Sequence, residues 1–492
     1  MRIRVASLLT IAALLGAVPV ASAADLPAPV LKAPPAAFAA PNWTGFYVNG
    51  GFGYGMWNAD TQSLNPITGA PAAILGNPLG IMQQGGRGWL GRVGGGYDYQ
   101  FNSNVVAGLF ADYDFSDLRG TVQDQVGLVA GDFKQRWAWG AGARIGWLIT
   151  PALLSYFNAG YTKTHFSGVP LIGVGGAATP MAISSYDDDG SFVGGGVETA
   201  IAPGWFWRTG YRFSRFGRKT LLDRVAATGA ISPCCADISF KPAVQTVTTQ
   251  LVYKFGQSYA APIARASASP IAARWSGIYA NIGGGYGLWA ADTTTTQAGA
   301  GLAANVIRHS ERQGGRGWLG RAGGGYDQQV TPNIVVGVLA DFDFSRLNGT
   351  VQDPDIVVAG DIRQQWSWTA GARAGLLVKP EILTYLNGGY TSAHFSSASM
   401  SGPVVLAGFV PSGLVTPAFT RDGWFIGGGT EYMLTSIANG LFWRNEYRYA
   451  QYGTQVLTDT VPGTAIAFNS INFKPVVQTV TTQIVYKFNW PG

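Results

Sequence analysis

Phe240–Phe255 reads FKPAVQTVTTQLVYKF, and Phe473–Phe488 repeats it almost letter for letter as FKPVVQTVTTQIVYKF. In the first copy Val247, Leu251, Tyr253 and Phe255 fall on one face of an extended strand, while Thr246, Thr248, Gln250 and Lys254 fall on the other. A strand with one apolar and one polar face borders two environments. Its recurrence says that the chain builds one structure twice.

Working outward, four further landmarks recur in the same order: NWTGFYVNGGFGYG and RWSGIYANIGGGYG, QGGRGWLGR twice, WAWGAGAR and WSWTAGAR, NAGYTKTHFS and NGGYTSAHFS. The period is roughly 230 residues, far beyond the 20 to 50 of a solenoid. Each copy resolves into eight alternating runs, in the first Trp43 to Trp57, Gly88 to Gln100, Asn104 to Ser116, Phe133 to Ile149, Ala152 to Phe166, Ser191 to Ile201, Gly204 to Phe216 and Ala243 to Phe255. Soluble strands average 5 or 6 residues and a tilted membrane strand needs about 9 to 11, so these runs are of membrane length. Short turns at Phe101 to Ser103, Thr150-Pro151 and Ala202-Pro203 alternate with long connections, which places the long loops on one side.

Composition agrees. Charged residues are 12% of the 492, against about 25% in soluble domains, and aromatic residues are 13%. The ends supply a route: Arg2 and Arg4, an apolar Val5 to Val18 and a small-residue Ala21-Ser22-Ala23 predict a signal peptide over 1–23, with the mature chain from Ala24. Residues 24–42 are an Ala/Pro-rich lead, 43–255 the first repeat, 256–274 a linker, 275–488 the second repeat and 489–492 a tail. A net charge of +6, with no basic cluster, argues against nucleic acid. Cys234 and Cys235 are adjacent and have no counterpart in the second repeat, so they cannot form a shared disulfide framework; a vicinal disulfide and two loop thiols both fit.

Alternation alone does not say which face is inside, because a soluble barrel also alternates. Aromatic spacing decides it. Trp89 and Tyr97, Trp139 and Trp147, and Trp205 and Phe213 are each eight residues apart on the apolar face, the separation of two aromatic girdles bounding a bilayer. The interior then carries Arg92, Arg144, Arg208 and Arg212 against Asp98, Asp112, Asp114 and Glu198, a balanced set. The second repeat carries Arg321, Arg373, Arg444 and Arg448 against Asp327, Asp341, Asp343, Glu431 and Glu446. Charges inside a narrow barrel lose hydration and must pair there, so this network is expected to act as a polar plug.

The signal segment, the Ala/Pro lead, the NWTGFYVNGGFGYG strand and a closing strand ending in VYKF resemble the small outer-membrane immunogenic proteins, porin-like eight-stranded barrels of Gram-negative bacteria. The resemblance implies a cell-surface barrel in the outer membrane, in contact with lipid and lipopolysaccharide. It also implies folding by the barrel insertion machinery, which recognises a closing strand with alternating hydrophobics and a last aromatic. Tyr253, Phe255, Tyr486 and Phe488 match that signal.

The expected fold class is therefore all-β: a transmembrane, antiparallel, up-and-down β-barrel, as two tandem eight-stranded barrels or, alternatively, one sixteen-stranded barrel. Joint closure would make residues 256–274 an unusually long periplasmic turn, which favours two barrels. The expected function is a structural, surface-exposed, antigenic membrane protein with little conductance; a sixteen-stranded diffusion porin for small solutes is the alternative. No cofactor is expected, because the glycine clusters lie within strands without a following helix and no metal-spaced His/Cys set is evident. His165-Phe166-Ser167 and His394-Phe395-Ser396 resemble the His-x-Ser of lipid A deacylases, a remote alternative, but no acid stands at matching spacing: Asp187, Asp188 and Asp189 read as loop residues. The chain is expected not to be an enzyme.

Overall fold

The computed structural model describes residues 41–488 apart from 75–76, 79, 125, 127–128, 174–176, 233–234, 257–274, 297–306, 354–357, 402–413, 435–436 and 465–466. The expected signal segment and tail, Cys234 and nearly all of the expected lead and linker lie outside the described residues.

Sixteen long strands carry the fold. In the first repeat they are β1 (Gly45–Leu64), β2 (Met82–Gln100), β3 (Val105–Asp124), β4 (Val129–Thr150), β5 (Leu153–Phe166), β6 (Tyr186–Ala202), β7 (Trp205–Phe216) and β8 (Asp237–Lys254). In the second they are β9 (Gly277–Thr296), β10 (Ile307–Thr331), β11 (Ile334–Asp353), β12 (Val358–Lys379), β13 (Ile382–Phe395), β14 (Phe419–Met433), β15 (Leu441–Tyr452) and β16 (Ala467–Phe488). Within each repeat every strand pairs antiparallel with its sequence neighbours, and β1 also pairs with β8 from Tyr47↔Lys254 to Leu64↔Asp237. Likewise β9 pairs with β16 from Ile278↔Phe488 to Thr296↔Ser470. The ladder thus runs in two circuits of eight, and backbone groups at the bilayer level are satisfied within each. One sixteen-stranded ring would set β8 beside β9 and β1 beside β16, which is not the observed pairing.

Side chains alternate about the strands in the inside-out sense. Phe52, Trp89, Phe157 and Trp318 are 61%, 66%, 68% and 72% exposed, while the arginines and carboxylates of the middle strands are buried. The strands also outrun the sequence expectation at the loop end: β1 continues to Leu64 rather than stopping at Trp57, and β2 begins at Met82. Above the apolar belt the strands are polar outside, yet they keep pairing because their inner faces still bury Trp57, Ala59, Leu118 and Phe240. Asp187 to Asp189 belong to β6 and not to a loop, since their backbones pair with β5 from Asp187↔His165 to Asp189↔Lys163.

The two barrels touch along one side, and several contacts occur twice with the repeats exchanged. Arg87 lies 2.5 Å from Asp292 and Arg316 lies 2.8 Å from Asp60. The Gln83 amide donates to Thr350 at 3.1 Å and the Arg312 amide to Thr121 at 3.0 Å. Tyr54 meets Tyr449, and Tyr286 meets Phe213, both at 5.6 Å between ring centroids. Among the described residues one ladder pair joins the repeats, Gln313↔Gln84, equivalent residues of the two QGGRGWLGR motifs, so an approximate twofold axis runs between them. Met56, Leu288, Ala290 and Val476 are buried in this contact. Phe213, expected in the lipid girdle, instead faces the second barrel.

Candidate functional site

Each barrel interior is built in three tiers. The short-turn end of the first is closed by an apolar floor of Trp43, Leu148, Leu154, Phe206 and Val252. The long-loop end is closed by a roof that includes Trp57, Phe133, Phe166 and Phe240, with Phe133 and Phe166 stacked at 5.0 Å. The second barrel repeats the floor with Trp275, Leu383, Phe442 and Val485. Its roof includes Trp289, Phe395, Phe419 and Phe473.

The opening motif explains how the floor is made. Trp43 turns under the barrel, where its indole N–H donates to the Pro151 carbonyl at 2.9 Å. Trp275 does the same to Pro380 at 2.8 Å. Two residues on, Gly45 and Gly277 adopt φ of 144° and 145°, a backbone region that disfavours a side chain, and this bend lets the chain enter β1 and β9. Phe46 then faces outward and Tyr47 inward. The Arg144 and Arg208 guanidinium carbons each lie 4.8 Å from the centre of the Tyr47 ring. Tyr279 holds Arg373 and Arg444 in the same way, at 4.7 and 4.8 Å.

Between floor and roof sit the charges. Arg92 makes a two-pronged contact with Asp114 at 2.6 and 2.7 Å, and Arg212 another with Asp112. Arg144 bridges Asp98 and Glu198, the latter at 2.8 Å, and Arg208 reaches Glu198 at 2.7 Å. Arg–carboxylate forks of this kind satisfy most donors of a desolvated guanidinium. In the second barrel Arg321 pairs with Asp343 at 2.6 Å, Arg373 bridges Asp327 and Glu431, Arg444 joins Glu431 at 2.8 Å, and Arg448 joins Asp341.

Two members were missing from the sequence-derived set. Lys254 and Lys487, on the closing strands, are buried and contact Asp98 with Glu198 and Asp327 with Glu431 respectively. Lys254 stands on the polar face of its strand in the sequence, and Lys487 occupies the matching position of the second repeat. Their inclusion corrects the balanced set of the first barrel: Arg92, Arg144, Arg208, Arg212 and Lys254 face only Asp98, Asp112, Asp114 and Glu198. The second barrel is balanced by Glu446, which accepts from Tyr385 at 2.7 Å and Asn387 at 2.8 Å and pairs with Arg321 at 2.7 Å. A cavity of about 20 Å³ lies in the charged tier of the first barrel, bordered by Arg92, Asp112, Tyr156 and Gly210.

The closing-strand aromatics Tyr253, Phe255, Tyr486 and Phe488 all face outward and are exposed. The His-x-Ser segments come apart between the repeats. His165 does have an acid, Asp187 on the adjoining strand, with Nδ1 to Oδ1 at 2.7 Å, so the expectation of no matching acid is corrected there. The missing signal was the β5–β6 register, which puts Asp187 directly opposite His165. His394 instead meets the Thr420 hydroxyl at 2.9 Å. Both imidazoles stack on tryptophans, Trp137 at 5.3 Å and Trp366 at 5.2 Å. Among the described residues no hydrogen bond joins either serine hydroxyl to its histidine, so neither forms a nucleophile–base pair.

The chain is 26% identical over 212 residues to the 31 kDa outer-membrane immunogenic proteins of Brucella melitensis and Brucella suis, an alignment covering 41% of this chain and 84% of each relative. Among solved structures it aligns with a FadL homologue of Pseudomonas aeruginosa (TM-score 0.27, 11% identity, 90% of this chain and 91% of the other). It also aligns with Neisserial surface protein A (TM-score 0.24, 17% identity, 43% and 98%). The family model for the outer membrane protein beta-barrel domain matches twice, over residues 10–255 and 258–488. The chain thus belongs to the outer membrane protein beta-barrel domain family, carries that domain in tandem, and resides in the cell outer membrane.

Proposed function

We infer that the protein is a structural, surface-exposed barrel pair that conducts little or no solute. The observation that carries this reading is the charged tier of the first barrel, where paired arginines and carboxylates border a cavity of about 20 Å³, room for roughly one water molecule. An apolar tier closes each end of that space. An ion entering it would have to break a buried Arg–carboxylate pair, leaving a charge uncompensated at a cost of about 3–5 kcal/mol. The longer loops stand on the opposite side from the short turns, the cell exterior by the usual polarity of such barrels, and supply the exposed surface. The name of the Brucella relatives, immunogenic outer-membrane proteins, supports the same role. Outer-membrane lipid, lipopolysaccharide and the insertion machinery, reading Tyr253, Phe255, Tyr486 and Phe488, are its proposed partners, and no catalytic step is proposed.

Planar bilayer recording of the refolded full chain tests this. The expectation is no stable steps of porin size; regular steps with a reproducible unit conductance would overturn it.

A further inference from the structure

The roofs of the two barrels differ in one respect that sealing does not require. In the first, the outer end of β3, the short strand Asp223–Val225 and the segment leading into β8 bring together Asp124, Asp223 and Cys235, all buried. One ligand-type atom from each lies within 4.8 Å of those of the other two. Asp223 is 1% exposed, and neither of its carboxylate oxygens accepts a hydrogen bond of normal geometry; the one side chain that it engages is the Cys235 thiol, itself a member of the cluster. Among the described residues no ion pair reaches it. The nearby cation, Arg224, is committed to Asp237 at 2.8 Å. A carboxylate buried in this way, facing a second carboxylate and a thiol, must take up a proton or a cation, and among the described residues no cation is paired with it.

Asp124, by contrast, is fixed in place. The Ser63 hydroxyl and the Val126 amide donate to one oxygen at 2.9 and 3.0 Å, and the Ala236 amide donates to the other at 2.9 Å. Such outer contacts orient a ligating carboxylate and hold it ready.

We propose that Asp124, Asp223 and Cys235 form a divalent-metal site in the outer cap of the first barrel, with zinc the matching ion. One thiolate and two carboxylates suit zinc, whereas calcium and magnesium prefer all-oxygen cages. Three protein ligands leave one tetrahedral position for water. The second barrel provides the control within the same chain. It keeps the carboxylates, Asp353 and Asp459, but the residue five before the conserved phenylalanine Phe473 is Phe468, where Cys235 precedes Phe240 by the same interval. There the Thr416 hydroxyl donates to Asp459 at 2.8 Å, filling the role that a metal would take.

The test uses the full chain refolded in detergent under reductant, stripped with chelator and titrated with zinc against a chromogenic competitor. One zinc per chain is expected, with affinity lowered at least about 100-fold by Asp223→Asn and by Cys235→Ser, and unchanged by Asp459→Asn and Cys234→Ser. Cobalt in place of zinc should give a thiolate charge-transfer band that Cys235→Ser abolishes. Heat-modifiable mobility on a denaturing gel shows that each variant is folded. Should the ligand variants fail to fold, Ser63→Ala, which alters no ligand, is expected to weaken zinc about tenfold. A stoichiometry near zero, binding indifferent to Asp223→Asn and Ser63→Ala, or a cobalt spectrum without the thiolate band overturns the site.

Discussion

The two lumens use one scaffold and differ at one decisive position. Where β15 carries Glu446, β7 carries Gly210: each lies two residues beyond an arginine on Glu198 or Glu431 and two before an arginine on an aspartate, Arg208 and Arg212 in one barrel, Arg444 and Arg448 in the other. In the second barrel Glu446 gathers Arg321, Tyr385 and Asn387 into one connected set and balances the charge. In the first, the same space is a cavity, Arg92 and Arg212 keep separate aspartates, and one cation is in excess. Local pairing of each carboxylate, and not overall neutrality, is therefore what the barrel demands of its interior. Desolvation acts on each group at its own site, so a surplus cation is tolerated where its immediate neighbours are carboxylates, as Lys254 shows beside Asp98 and Glu198.

The largest way to break this comparison is Glu446→Ala. Arg321 would keep Asp343 and Arg448 would keep Asp341, but the two guanidiniums would lose the carboxylate between them, and Tyr385 and Asn387 would lose their acceptor. A loss of about 3–5 kcal/mol is expected, read as an earlier urea transition of the second barrel in phospholipid. The first barrel's transition should stay in place. A loss under about 1 kcal/mol would show that the connected network is no stronger than the separate pairs of the first barrel.

The roofs give the next contrast. Burial pushes Asp459 up to about 6, against the opposing hydrogen bond from Thr416. The folded chain then holds this proton to a higher pH than the unfolded chain does. The associated stability is complete below about pH 4 and is lost as the pH rises through 6. The difference between the protein and its Asp459→Asn variant, followed from pH 4 to pH 8, should change by at most about 3 kcal/mol, with the variant gaining at the alkaline end. A difference that stays flat with pH removes the buried acid from the account.

How much of this was legible in the letters depends on the range of the interaction. Period-two alternation and the recurrence of VQTVTTQ set the strands, the faces and the number of copies, because those properties are local to a strand. Arg92 with Asp114 and Arg321 with Asp343 could be placed on one wall, since neighbouring strands bring them together. Lys254 on Asp98 could not, because that contact reaches across β1 from β8 to β2 and depends on closure of β1 against β8. The apolar roof was missed for a related reason. Ile238, Phe240 and Val244 sit on the same inward face as Thr248 and Gln250, and only the end of the bilayer, absent from the alphabet of the strand, separates the two tiers. The His165–Asp187 contact needed a register across a long loop.

A smaller effect sharpens the lumen contrast from the other side. Placing a carboxylate at position 210 should recreate the second barrel's network in the first. A Cβ there would come 2.9 Å from the Tyr156 hydroxyl, which must shift a little, as its equivalent Tyr385 does in binding Glu446. Gly210→Glu is therefore expected to raise the first barrel's stability by about 1–2 kcal/mol through a charge-assisted hydrogen bond and the loss of a glycine within a strand. Destabilisation would mean that the cavity is too small for the carboxylate and that the two lumens are not interchangeable.

The smallest effect tests the twofold relation itself. Arg87–Asp292 and Arg316–Asp60 are symmetry mates, but their side chains are 15% and 42% exposed in the first pair and 21% each in the second. Partial solvation screens both pairs, so each should contribute less than about 1 kcal/mol. Double-mutant cycles to alanine on each pair, in the full chain, should give coupling energies equal within about 0.5 kcal/mol if the axis holds on the membrane as it does at Gln84 and Gln313. The couplings should also fall together as salt is raised, because both pairs lie at the water-facing edge of the contact. If one cycle couples and its mate does not, the barrels are hinged at one edge and the twofold contact is not a rigid joint.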